Sequence, residues 1–81
     1  MVITGKHVAA ARGLVGMTQG DLAEASGIAR KTIIEWESGI RAPRAETIDR
    51  VREAFERRGV EFLNGGSPGV RLHGDRSVIP V

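Results

Sequence analysis

Residues 18–39 read TQGDLAEASGIARKTIIEWESG, and the spacing inside this stretch decides how the 81-residue chain folds. It is the pattern of two short helices joined by a tight turn. Thr18 is a good N-cap, because its hydroxyl can accept from a first-turn amide, and Asp21 three residues on makes a variant of the capping box. Met17 before the cap and Leu22 beyond it are placed to close a hydrophobic staple. Leu22 and Ala23 then face inward. Ser26-Gly27-Ile28 breaks the helix, and Gly27 can take the positive φ that a residue with a Cβ resists. The second helix follows with Ile33 and Trp36 three apart on its buried side and Gly39 as its C-cap. Arg30, Lys31 and Thr32 are left outward.

The set of spacings carries more than any one residue. Ala23 is small where two helices must cross closely, Gly27 comes four later, Ile33 six after that and Trp36 three more. That set resembles the helix-turn-helix of the phage-repressor family, the Cro/cI or XRE-like proteins, whose second helix enters the DNA major groove. The similarity covers residues 3–58 and includes the TQ opening at Thr18-Gln19 and the E-x-G close at Glu37-Gly39. It implies a mainly α, four-helix, lambda-repressor-like domain over residues 1–59. It also implies a cytoplasmic, nucleoid-associated protein of bacterial or phage origin.

Composition bounds the alternatives. Eighty-one residues make one small domain, and a chain that is 41% hydrophobic but 4% aromatic must build its core from Ile, Val, Leu and Ala. Cysteine is absent, which removes disulfides and thiolate metal sites together and fits a reducing compartment. No stretch has the pattern of a signal peptide or the apolar length of a membrane span. The net charge is only +2, but residues 1–44 carry six Lys/Arg against four Asp/Glu, while residues 45–81 carry six against six. The basic excess therefore lies in the half with the two-helix motif, as a phosphate-facing surface requires.

Flanking segments complete the helical part. Residues 1–16 read as a first helix that Thr4 can cap, with Ile3 and Val8 as its staple. Val8, Ala11, Leu14 and Val15 form its apolar face, and Gly16 can end it. Residues 45–58 read as a fourth helix with a buried stripe of Ile48, Val51 and Phe55, ended by Gly59. Residues 60–63 and 70–72 then look like two short strands around a Gly-rich turn, a β-hairpin or strand pair over residues 60–72. Alternation puts Val60 and Phe62 on one face, and Val70 and Leu72 on another. So small a hairpin is marginal alone, and should pack on the fourth helix, pair with a second copy of itself, or both. Residues 73–81 have no periodicity and read as a mobile tail.

Arg30, Lys31, Thr32 and Glu35 are the candidate base-contacting residues. Arg can grip guanine O6 and N7 with two hydrogen bonds, Lys can do likewise or neutralise a phosphate, and Thr32 can offer its hydroxyl to a phosphate or its methyl to a thymine. Glu35 can accept from cytosine N4 or pair one turn back with Lys31. Read without the resemblance, the same positions form an ordinary solvated helix face. Thr18 and Gln19 at the start of the second helix are candidates for backbone phosphate; the resemblance implies the glutamine contact, and a helix N-terminus favours an anion. Arg41 and Arg44 make the loop over residues 40–44 basic, and the resemblance places Arg44 near the minor groove. Arg12 falls beside the apolar face of the first helix. It is either a surface arginine lying along apolar neighbours or, as the resemblance implies, the structural partner of Glu37.

Catalysis finds no support. His7 and His73 lie in different segments without metal-ligand spacing, no serine sits in a nucleophile elbow, and no glycine loop matches a phosphate cradle. No cofactor or metal is expected. The leading reading is a sequence-specific DNA-binding regulator, a repressor acting as a homodimer on an inverted repeat, with Val51, Phe55, Val60, Phe62, Val70 and Leu72 at the dimer contact. RNA polymerase would be a further partner for an activator. The alternatives are an antitoxin that regulates its own operon and holds a toxin, and a helical protein-interaction module that binds no DNA.

Overall fold

In the computed structural model, which describes residues 2–63, 68–72 and 79–80, the chain forms four helices and a small sheet. The helices are α1 (Gly5–Val15), α2 (Gln19–Ser26), α3 (Arg30–Glu37) and α4 (Ala45–Glu56). The strands are β1 (Val60–Leu63), β2 (Gly69–Leu72) and β3 (Ile79–Pro80). Fold class is thus mainly helical with C-terminal strands.

Local chemistry sets the helix ends. Thr18 caps α2: its hydroxyl accepts from the Asp21 amide at 3.0 Å, and the Asp21 carboxylate accepts from the Thr18 amide at 3.0 Å. The Thr18 backbone amide first, and the Thr18 side chain second, hold the Asp21 carboxyl below its ordinary pKa. Gly27 ends α2 at φ 72°, a left-handed conformation that turns the chain straight into α3. At the end of α3 the cap is Ser38, still right-handed, and Gly39 one residue later takes the positive φ of 80°.

α1 starts with a histidine in an unexpected role. The Thr4 hydroxyl faces the His7 amide, and the His7 Nδ1 accepts from the Thr4 amide at 2.9 Å, so an imidazole does the work of the usual Glu or Gln in a capping box. His7 is 4% exposed, and burial pushes its pKa below the ordinary 6.5. Nδ1 can accept only while unprotonated. The unfolded chain therefore takes up a proton near pH 6.5 that the folded chain refuses, and stability, complete above that pH, falls as pH drops below it toward the folded pKa. The slope in that window is at most about 1.4 kcal/mol per pH unit. His7→Gln keeps an acceptor for the Thr4 amide and should flatten urea-midpoint curves between pH 6.5 and 5. An unchanged slope in that variant would remove His7 as the cause.

The core joins all four helices to the sheet through Ile3, Val8, Ala11, Leu22, Ile33, Trp36, Val51, Ala54, Phe55, Val60, Phe62 and Val70. Leu22, Ile33 and Phe55 are fully buried, each contributing about 1.5–3 kcal/mol of transfer free energy. Phe55 meets Phe62 edge-on, ring centres 6.0 Å apart. α2 packs on α3 and α4, while α1 packs on α3 and on both long strands. One contact there is backbone on backbone. A Cβ built on Gly5 would strike the Trp36 carbonyl oxygen and lie 2.7 Å from its carbon and 2.8 Å from Glu37 Cα. Gly5→Ala should therefore lower the melting temperature, because overpacking of about 1–3 kcal/mol outweighs the better helix propensity of alanine, about 1 kcal/mol at most. An unchanged melting temperature would mean that α1 can lift off α3 freely.

The sheet is antiparallel in the order β1-β2-β3. Its register corrects the two-face reading of the hairpin. Val60 stands opposite Leu72 and Phe62 opposite Val70, so all four share one face, because directly opposed residues of an antiparallel pair project to the same side. That face is closed by α1 and α4. The other face carries Glu61 and Arg71, ion-paired at 2.8 Å. Two residues of the segment expected to be a mobile tail, 73–81, are described. Ile79 pairs with Val70 and Pro80 with Gly69, adding a third strand, while residues 73–78 and 81 lie outside the described residues.

Candidate nucleic-acid interface

α3 turns Ile33 and Trp36 into the core, and this rotation presents the opposite side to solvent. Arg30 and Lys31 are exposed at its first turn, and Thr32 and Glu35 are half-buried along its flank. Among the described residues Arg30, Lys31 and Glu35 form no ion pair, so the Lys31–Glu35 alternative is not realised. Both cationic heads are free to meet an anion. The N-cap of α3 is Ala29, which offers no side-chain acceptor to the first-turn amides.

At the C-terminal end of α3 lies a partly buried polar knot. Arg12 donates through Nε to Glu37 Oε2 and through Nη2 to Glu37 Oε1, both at 2.7 Å, the two-pronged geometry that suits guanidinium and carboxylate. Arg12 Nη1 also donates to the Met17 carbonyl at 3.0 Å, across the α1–α2 connection. The Gln19 amide donates to Glu37 Oε1 at 3.2 Å. The side chains of Arg12 and Glu37 are 21% and 8% exposed, and the hydrogen bonds to Glu37 raise the Arg12 pKa above its already high ordinary value. One carboxylate at the end of α3 thus holds α1, the α1–α2 turn and the start of α2.

A family model for helix-turn-helix domains matches residues 8–62, more than half of the chain, from within α1 to within β1. The chain belongs to the Cro/cI-like, XRE-type helix-turn-helix family. It is accordingly a DNA-binding transcription regulator of that type. No curated protein matches it by sequence. In this helix-turn-helix protein no described helix is long and apolar enough to cross a membrane, and the described residues hold no cluster of His, Cys, Asp or Glu that could bind a metal ion.

The remaining candidates fall into two groups. Arg41 and Arg44 are exposed on the loop before α4, with Arg44 as the α4 N-cap residue, and Thr18 is exposed with its hydroxyl engaged in the cap. The residues expected at a dimer contact are placed otherwise. Val51, Phe55 and Val70 have no exposed surface, Val60 and Phe62 almost none, and only Leu72 is half-open. Within the chain these side chains pack into its own core, so toward a second copy they would stand behind the sheet as backing. Sequence reasoning missed His7, Gly5 and Ile34. The sign of Ile34 was an isoleucine out of step with the Ile33–Trp36 stripe.

Proposed function

We propose that this helix-turn-helix protein represses transcription as a homodimer that lays α3 of each copy into successive major grooves of an inverted repeat. The observation that carries this reading is the pair of unpaired cations, Arg30 and Lys31, on the face of α3 turned away from the core. Arg30, Lys31, Thr32 and Glu35 would read base edges; Thr18, Gln19, Arg41 and Arg44 would hold the phosphate backbone or the minor groove. The uncapped start of α3 adds amide donors on the same side.

A single reading helix contacts few base pairs, so specificity calls for two. β1 is one of the two edge strands of the described sheet, and its outer backbone groups can pair with β1 of a second copy, backed by Val51, Phe55 and Phe62. Repression then follows from occupying promoter DNA. Selection of bound duplexes from a random pool, followed by sedimentation of the free and bound protein, tests the reading. The expected outcome is a species of twice the 8.7 kDa chain mass on a site with half-sites about 34–36 Å apart. A monomer on an undivided site would overturn the dimer. The intact chain must be used, because truncation after Gly59 removes Val60, Phe62 and Val70 from the core.

A further inference from the structure

We propose that Ile34 is a specificity-determining residue of this protein, reading the 5-methyl group of a thymine; the proposal rests on α3 being the reading helix. Four large apolar residues are exposed among those described, and three of them, Val2, Ile40 and Ile79, lie outside the helices. Ile34 is the one inside a helix, and it is 40% exposed. Its position follows from helical spacing. It stands four residues after Arg30 and three after Lys31, so its side chain neighbours both cations on the surface of α3. Ile33 beside it is fully buried, as is nearly all of Trp36, so Ile34 serves no part of the core.

The chemistry of the place narrows the ligand. A β-branched residue on a solvent-facing helix position is a poorer helix former than alanine and leaves apolar area in water, so the fold alone does not favour it there. Two unpaired cations beside it mark the partner as polyanionic. Within the major groove of duplex DNA, the apolar group displayed by a base edge is the thymine methyl. An isoleucine flanked by Arg and Lys therefore adds methyl recognition to hydrogen-bond recognition, and favours A·T over G·C at the base pair beneath it.

The test replaces each thymine of the selected site, one at a time, by uracil, which removes the methyl and keeps every hydrogen-bonding group. Binding of the full-length wild-type protein should weaken about fourfold at one thymine of each half-site, the affinity equivalent of one buried methyl group. Ile34→Ala, shown by circular dichroism to fold as the wild type does, should bind the thymine and uracil duplexes equally. Ile34→Val, which keeps branched apolar contact, should retain most of the discrimination. If wild type is indifferent to uracil everywhere while Arg30→Ala and Lys31→Ala still weaken binding, the reading helix stands and the role of Ile34 is overturned. Sensitivity to uracil that persists unchanged in Ile34→Ala assigns the methyl contact to another residue and also overturns it. If neither cation matters to binding, the reading helix itself is wrong and the proposal goes with it.

Discussion

Arg12→Met and Glu37→Leu should each destabilise the domain by about 3–5 kcal/mol, whereas the double variant should lose much less than the sum. The asymmetry comes from what each single change leaves behind. Without Arg12, a carboxylate only 8% exposed keeps just the Gln19 amide as a partner. Without Glu37, the Arg12 guanidinium keeps the Met17 carbonyl and, being 21% exposed, can reach for water. Arg12→Met should therefore be the worse of the two. For a domain of this size the single changes correspond to a fall in melting temperature of roughly 20 °C. Denaturant midpoints of the four proteins decide the matter. Independent losses below about 1 kcal/mol would make the pair an ordinary surface ion pair.

The second large effect is on DNA. Arg30→Ala and Lys31→Ala should each cost roughly 1–3 kcal/mol at a base-contacting position, and together should reduce binding of the selected site on the order of a thousandfold. Both side chains are exposed and form no described ion pair, so their loss should leave the melting temperature nearly unchanged. Salt supplies an independent gauge. A complex that neutralises about six phosphates loses affinity by about a thousandfold between 50 and 200 mM salt, and the slope should become shallower in the double variant. Unchanged binding by that variant would move the reading surface elsewhere.

Much of the fold was legible because its signals are local. Thr18 with Asp21, Gly27, and the Ile33–Trp36 stripe each act within one or two turns of chain, so their spacing specifies α2, the turn and α3. The two long strands were visible for the same reason. What stayed hidden depends on contacts between distant elements. The register of β1 on β2, set across the connection between them, decides that Val60, Phe62, Val70 and Leu72 share a face. Alternation within each strand carries no such information. Gly5 looks like any glycine until the Trp36 backbone is laid against it. His7 is disguised by residue type, since an imidazole in the N3 position of a capping box is not what the Ser/Thr-x-x-Glu/Gln pattern searches for. The partner of Arg12 lies 25 residues away, and periodicity alone marked only that Arg12 sat beside an apolar face.

The hydrogen bond from Gln19 to Glu37 bears on the timing of an entropic cost. A glutamine side chain has three torsions, and ordering such a chain at an interface costs about 0.5–1.5 kcal/mol when it happens during association. Its amide has two N–H groups, and Glu37 Oε1 takes one of them. In the proposed complex, the second is available to a phosphate from a side chain whose rotamer was already settled during folding. The freedom of Gln19 is then lost once, in the free protein, and association is spared that ordering. Glu37→Gln would loosen the tether, and its mark on DNA binding would fall on the entropy measured by calorimetry.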